Sequence, residues 1–258
     1  MKIREIKVNS IIGKSSIGDY CINPYVGCLH ACIYCYADYY TRKFSNHEEG
    51  WGEFVDVKIN APEVLLKEIT KKKKGTIYIS PLTDAYQPIE AKYRITRKIL
   101  EILARYDWPI IIQTKSSLVL RDLDVLKMFT KVKVGFTIIS LDGNKSKRLE
   151  KWASSPKERI IALKVLKENG IRTFVFIGPI MPFTKLEEIE KIVNESREFA
   201  DEFYFDKFNI KPGLIEKLKT IDEYRNLEII EMKKYYENIK EIIRKMVEEK
   251  GLNAKILF

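Results

Sequence analysis

Short apolar runs alternate with amphipathic stretches along most of this chain. Thr76-Ile-Tyr-Ile-Ser80, Pro109-Ile-Ile-Ile-Gln-Thr114 and Lys133-Val-Gly-Phe-Thr-Ile-Ile-Ser140 are rich in β-branched and aromatic residues and predict strands. Arg172 to Ile177 and Glu202 to Ile210 read the same way, and Asn253 to Phe258 is a final short strand. Helical patterns lie between them. One runs from Tyr36 to Lys43, and one from Tyr93 to Tyr106 with Ile95, Ile99, Ile102 and Leu103 on one face. Another spans about Arg121 to Thr130. Ser155, Pro156 and Glu158 supply an N-cap, a first-turn proline and a capping-box acid for a helix that stops at Gly170. Thr184-x-x-Glu187 opens a helix to about Ala200, and Thr220-x-x-Glu223 opens a long C-terminal one ending at Gly251. The run Lys71 to Lys74 reads as a solvated helix end before Gly75, where cations suit the dipole.

Repeated strand–helix units with short connections predict a parallel sheet with right-handed crossovers. Near-continuous apolar runs such as Ile110-Ile-Ile112 fit strands buried on both faces, by helices outside and a barrel interior inside. With the strand that feeds Cys28, the count is six. A closed eight-fold barrel fits the length poorly, and a doubly wound open sheet shares the same pattern. With 258 residues, 45% of them hydrophobic, the chain suffices for one sizeable core. It shows no repeat or linker.

No apolar stretch is long enough to span a bilayer, so no membrane association is expected. The charged start, Met1-Lys-Ile-Arg-Glu-Ile-Lys7, lacks an apolar signal core, and the expected location is cytoplasmic. The net charge of +10 invites a nucleic-acid partner. However, the excess is spread through a chain rich in Lys, Glu and Ile, a usage also common in proteins of hot environments.

The chemistry concentrates in Asn23-Pro-Tyr-Val-Gly-Cys-Leu-His-Ala-Cys-Ile-Tyr-Cys-Tyr-Ala-Asp38, where Cys28, Cys32 and Cys35 have C-x3-C-x2-C spacing. A cluster of four irons and four sulfides normally takes four thiolates; three hold three irons and leave the fourth open. Zinc with Cys21 or His30 as fourth ligand is the competing metal reading, but structural zinc sites usually pair two knuckles and no second one exists. His30 more naturally bonds to the loop backbone. Cys21 reads as a small core residue. In βα barrels the chemistry gathers at the C-terminal ends of strands. Here Ser80-Pro-Leu-Thr-Asp84, Thr114-Lys115-Ser116, Ser140-Leu-Asp142 and Asn209-Ile-Lys211 put polar groups there.

The cysteine run resembles that of the radical S-adenosylmethionine (SAM) enzymes, and its context resembles the spore photoproduct lyase-related branch. Further matching stretches are Thr83-Asp84-Ala-Tyr86-Gln87-Pro88-x-Glu90, Thr114-Lys115-Ser116 with Arg121-Asp122, Leu149-Glu150 with Ser155-Pro156 and Arg159, and Gly178-Pro-Ile-Met-Pro182. The likeness spans about residues 2 to 185. It implies a partial (β/α)6 TIM-type barrel with a C-terminal helical extension. As one domain, residues 1–20 form an N-terminal extension, 21–212 the barrel core, and 213–258 the C-terminal helix and short strand. It implies a 4Fe–4S cluster on Cys28, Cys32 and Cys35 with SAM on the open iron. Thr83 and Asp84 match a SAM-contacting pair, Lys115 a lysine pairing the SAM carboxylate, and Ser140 a serine near the ribose or amino group. Tyr34 and Tyr36 match tyrosines linked to hydrogen-atom transfer. The implied reaction is reductive cleavage of SAM to methionine and a 5′-deoxyadenosyl radical, fed by a flavodoxin- or ferredoxin-type reductant. The expected substrate is DNA or RNA. A small metabolite or peptide is the alternative, and a non-catalytic metal module the third. The lyase's hydrogen-returning cysteine has no match in Ile79-Ser-Pro-Leu-Thr-Asp84, so the expected reaction differs from the lyase's.

Overall fold

The apolar runs form the spine of an eight-stranded sheet in the computed structural model, which describes residues 1–258. In chain order the strands are β1 (Lys2–Ile6), β2 (Ile12–Lys14), β3 (Tyr20–Ile22), β4 (Tyr25–Val26), β5 (Phe54–Lys58) and β6 (Ile77–Ile79). They continue with β7 (Ile110–Thr114), β8 (Val132–Thr137), β9 (Arg172–Ile180), β10 (Glu202–Lys207) and β11 (Ala254–Ile256). The large sheet has the order β11-β10-β9-β8-β7-β6-β3-β2. Every pairing from β3 to β11 is parallel, and only the β2–β3 hairpin is antiparallel. The edge strands β2 and β11 do not pair with each other, so the barrel stays open, as a partial barrel does. No helix is long and apolar enough to cross a membrane.

The six expected strands are β3 and β6 to β10, and the short final strand joins as β11. Successive side chains in each strand face opposite ways. On β7, Ile110 and Ile112 face the helices and are at most 2% exposed, while Ile111 and Gln113 face the interior. On β8 the interior takes Lys133, Gly135 and Thr137; on β9 it takes Phe174 and Phe176. A side chain at Gly135 would put its Cβ 2.4 Å from the Phe174 ring, so this glycine makes the room the ring occupies.

The capping box of the Pro156–Glu168 helix forms as expected: Ser155 Oγ accepts from Glu158 N, and Glu158 Oε2 accepts from Ser155 N at 2.6 Å. Other elements differ from the reading above. The Tyr93–Tyr106 helix is split by Arg94, which is left-handed (φ 54°), into Glu90–Tyr93 and Ile95–Arg105. Glu90 takes the amides of Thr96 and Arg97 and so caps the second piece from within the first. The expected Arg121–Thr130 helix is a 3-10 segment, Ser117–Asp122, followed by one turn, Leu123–Leu126.

Thr184 caps nothing; Lys185 is the N-cap, and the Thr184 hydroxyl is buried without a partner. The long helix begins at Ile229, because the Thr220 hydroxyl donates back to Lys217 O and closes a separate helix, Leu214–Leu218. Lys71 to Lys74 follow the Ala61–Ile69 helix and are not its last turn. The N-terminal residues pair as well. β1 lies parallel to β5, which is antiparallel to β4, in a small second sheet. Its sequence, Lys-Ile-Arg-Glu-Ile, hides a strand among charges, one of which, Arg4, binds Asp56 at 2.7 Å.

The long C-terminal helix buries Met232, Tyr236, Ile239, Ile243 and Met246 along one stripe. Tyr236 Oη donates to Ile180 O at 2.8 Å and accepts from Phe208 N at 3.2 Å. The helix thereby ties the ends of β9 and β10 together.

Gly135→Ala is expected to lower stability by about 1–3 kcal/mol through overpacking against Phe174, read as a shift in the urea midpoint. No shift would mean that the ring moves freely into the interior.

Candidate active site

The cysteine loop joins β4 to the helix Tyr36–Phe44, with Cys35 as N-cap. Gly27 enters it at φ 82°, and a Cβ there would lie 2.4 Å from Phe54 O. The loop is then gripped from two sides. Gln87, fully buried, accepts from Leu29 N at 2.8 Å and donates to Gly27 O at 3.1 Å. On the other side Ile33 N donates to Leu149 O at 3.0 Å, Trp152 N donates to His30 O at 3.3 Å, and Cys32 bridges Glu150.

Asp84 anchors the second strand end to the loop. Its carboxylate accepts from Tyr86 N at 2.9 Å, the Thr114 hydroxyl at 2.6 Å and Lys115 N at 2.8 Å. His30 Nδ1 lies 3.3 Å away, though not in line for a good hydrogen bond. Burial works against the charge, but His30, Lys115 and the Thr114 bond outweigh it and hold Asp84 well below the usual carboxylate range. Thr83 Oγ1 is 2.8 Å from Ser80 Oγ. Burial also opposes the Lys115 charge; Cys32, Glu150, Asp84 and Cys35 reverse this and raise it. The two acids among them are engaged elsewhere, so the ammonium faces the cavity available for a ligand.

Tyr34 is buried and donates to Glu150, which also binds Arg159. Burial and the Glu150 charge raise the Tyr34 phenol. Tyr36 donates to Pro81 O at 2.9 Å, and burial together with the Cys35 charge pushes it up to about 12. Burial pushes the Cys28 thiol up to about 12, with the Asp84 and Cys35 charges adding to it. Burial raises Cys32 and Cys35 as well.

A cavity of about 630 Å³ brings together Cys28, Cys32, Cys35, Tyr34, Tyr36, Thr83, Asp84 and Lys115. Ser140 is not on its wall; the Ser140 hydroxyl accepts from Asp142 N at 3.1 Å and shapes a turn. Cys21 is also off the wall, 3.6 Å from Lys14 O. The opposite wall was not singled out from the sequence. Tyr78 donates to Gln113 at 2.5 Å, and Gln113 donates to Thr137 at 2.9 Å. Lys133 binds Glu202 at 3.0 Å and Tyr204 at 2.9 Å, and its ammonium stands over the Phe174 ring. Asp206, raised by burial, lies on this wall too. The signal for these residues was the period-two alternation within the strands. Ile17 and Leu257, from the chain beside each sheet edge, both line the cavity and are 56% and 51% exposed, so the open side of the barrel is its mouth.

No three Cys, His or acidic groups come close enough together to hold a single ion. Three thiols, two buried and that of Cys35 half-buried, spread over one wall beside a lysine and suit the wider donor spacing of a multi-iron cluster. Trp51 also lines the cavity, with its indole N–H buried and unpartnered, a donor that a bound polar group would satisfy.

The family model of the radical SAM superfamily matches residues 22–195. An uncharacterised protein of Methanocaldococcus jannaschii is 40% identical over 213 residues, covering 82% of this chain and 79% of that protein. A protein of Acidianus two-tailed virus is 30% identical over 219 residues, 80% of this chain and 72% of its own. A spore photoproduct lyase variant with bound AdoMet and dinucleoside spore photoproduct has a TM-score of 0.76 at 15% identity, over 100% of this chain and 82% of that one. Streptococcus suis SuiB bound to S-adenosylmethionine has a TM-score of 0.58 at 15% identity, over 92% and 49%. At these identities the two structures speak for the fold.

Glu150→Ala leaves Arg159, 1% exposed, without its carboxylate. The expected loss is about 3–5 kcal/mol in chemical denaturation, because a buried charge loses its partner. A loss under about 1 kcal/mol would show that water reaches Arg159.

Proposed function

The chain belongs to the radical SAM superfamily, a superfamily of enzymes that implies SAM and an iron–sulfur cluster, and on that premise we propose that Cys28, Cys32 and Cys35 hold a 4Fe–4S cluster and that the cavity below them takes SAM and part of a nucleic-acid substrate. The observation that carries the reading is the shared cavity: three thiols and the Lys115 ammonium on one wall, aromatic and polar side chains on the other. When bound, the cluster and SAM would supply one-electron cleavage of a sulfonium C–S bond and, with it, hydrogen abstraction from the substrate.

The chain's own residues bind, orient and exclude water. Lys115 offers a fixed positive charge to the SAM carboxylate. Thr83 contributes a hydroxyl beside it, while Asp84 orients Lys115 through its backbone amide. Tyr36 stands on the cavity wall as a phenol whose hydrogen is retained at neutral pH, and Tyr34 is a second such phenol held by Glu150. The Ser140 hydroxyl shapes the turn after β8 by accepting from Asp142 N. Tyr78, Phe174, Phe176 and Tyr204 offer π-faces for a base, and Lys207 and Lys255 offer cations for phosphates near the mouth. The lyase with bound dinucleoside spore photoproduct supports this choice of substrate class. A flavodoxin- or ferredoxin-type protein supplies the electron.

The test is anaerobic reconstitution with iron and sulfide, then measurement of 5′-deoxyadenosine after reduction with SAM present. Retention on single-stranded DNA, double-stranded DNA and tRNA, followed against salt, reads the substrate class. Zinc without sulfide would sink the cluster, and salt-independent, negligible retention would sink the nucleic acid.

Cys28→Ala, Cys32→Ala and Cys35→Ala are each expected to abolish SAM cleavage, whereas Cys21→Ala keeps wild-type iron content; iron loss in Cys21→Ala would change the ligand set. Lys115→Ala is expected to weaken SAM binding by about 2–5 kcal/mol, the cost of leaving a buried charge unpaired, with iron content unchanged. Calorimetry showing unchanged SAM affinity would remove Lys115 from the site.

A further inference from the structure

A second concavity lies behind the cysteine loop. It measures about 530 Å³ and is lined in part by His30, Ser116, Ser117, Arg121 and Trp152. It shares no lining residue with the main cavity, yet three segments, 28–36, 80–88 and 115–117, wall both. Cys28 and Cys32 face the cavity, and His30 between them faces the cleft. Lys115 faces the cavity, and Ser116 and Ser117 face the cleft. The partition at the cysteines is thus one chain thick.

Trp152 stands at this cleft, 60% exposed, with the Lys151 ammonium 5.5 Å from its ring centroid. Its backbone N–H donates to His30 O, and the residues before it pair with Cys32 and Ile33. An exposed indole is therefore mounted directly on the backbone of the thiol loop. The charge flanking it in the chain is one-sided. Lys147, Lys151 and Lys157 lie within five residues of it and are exposed. The two acids in or beside that stretch are spent, Glu150 on Arg159 and Glu158 on the Ser155 amide.

We propose that this face is the docking surface for an acidic one-electron carrier protein, which reduces the group held by Cys28, Cys32 and Cys35 through the thin partition. The proposal rests on the cluster reading above. One electron leaves the carrier's reduced flavin or iron–sulfur group, oxidising it by one unit. The same electron reduces the thiolate-held group by one unit, and no bond forms or breaks. Electron tunnelling weakens steeply with distance, which favours the side where the least protein intervenes. The lysines steer an acidic carrier to that side, and Trp152 supplies an aromatic anchor for the contact. Lysines beside a tryptophan also suit a nucleic acid. But a reacting nucleotide must reach the main cavity, whose mouth lies between Ile17 and Leu257, and the cleft ends at His30.

The test compares two reductants on the reconstituted protein. Photoreduced flavodoxin of acidic pI and dithionite are each mixed with wild type, with the double variant Lys147→Glu/Lys151→Glu, and with Trp152→Ala. All three side chains are exposed, so folding is spared. Cluster bleaching is followed by stopped flow, and flavodoxin affinity by calorimetry, which needs no turnover. The expected result is a loss of about tenfold or more in both the flavodoxin rate constant and the affinity at low ionic strength. The loss of rate with added salt seen for the wild type should weaken or change sign in the double variant, with dithionite reduction and dithionite-driven SAM cleavage unchanged. Unchanged flavodoxin kinetics and affinity would overturn the docking surface. So would an equal loss with dithionite, which would locate the effect in the cluster. Lost retention on single-stranded DNA with flavodoxin kinetics intact would assign the face to nucleic acid and overturn it too. Absence of SAM cleavage by wild type with dithionite would sink the functional reading, while calorimetry still decides the docking surface.

Discussion

Three carboxylates shut away from water hold the cysteine loop in shape. Asp84, Glu90 and Glu150 are 6%, 0% and 2% exposed. A lone carboxylate buried to that degree would give up its charge or unfold its surroundings. Each of these is instead met on several sides. Asp84 takes two amides and the Thr114 hydroxyl; Glu90 takes Tyr25, the Thr96 amide and Arg121; Glu150 takes Tyr34, Ser146 and Arg159. Tyr25 leads into the loop, Tyr34 sits inside it, and Lys115 faces it. The loop therefore cannot shift without unpairing a buried charge. Its geometry and the satisfaction of those charges are one requirement.

Apolar side chains of the same volume would often stabilise a fold as well or better than buried ion pairs. What they lack is direction. A loop of eight residues, Cys28 to Cys35, has few contacts of its own with which to aim three thiols. Hydrogen bonds to charged groups supply the aim, and Gln87 supplies more of it by binding the loop backbone as both donor and acceptor. The cost of desolvating these groups is offset by giving each oxygen a defined partner.

The parallel sheet was legible because its strands carry apolar, β-branched runs such as Ile110-Ile-Ile112, and the Pro156–Glu168 helix because its capping box is a local signal. The cysteines were legible by spacing alone. Strand β1 was not, since a strand whose polar residues find ion-pair partners, as Arg4 finds Asp56, carries no apolar pattern. The start at Thr220 misled because a hydroxyl followed by an acid three residues on caps a helix only if that helix follows; here the hydroxyl closes the preceding one. Of the residues matched to SAM contacts, Lys115 and Thr83 line the cavity and Ser140 lies off its wall; whether a strand-end serine points inward depends on where pairing ends, and β8 stops at Thr137. The interior wall stayed hidden for a related reason. Period two alone says which residues share a face, and only the fold says that the face bearing Gln113, Lys133 and Tyr204 surrounds a cavity.

Leaving the barrel open has a consequence for that wall. A closed barrel of this size fills its interior with layers of branched side chains. Here the edges β2 and β11 stay apart, and the interior carries two bonded sets, Tyr78 with Gln113 and Lys133 with Glu202 and Tyr204. Such a network is stable beside water because every polar group has a partner, and it stays in place when water is displaced by a ligand. Gly135 is part of the same arrangement: without its missing side chain the Phe174 ring would be forced from the wall, and the aromatic face of the interior would be lost with it. The open side thus admits a large ligand, the satisfied polar wall keeps its shape with or without one, and the thiols stand across the cavity from it on a loop held by charges of its own.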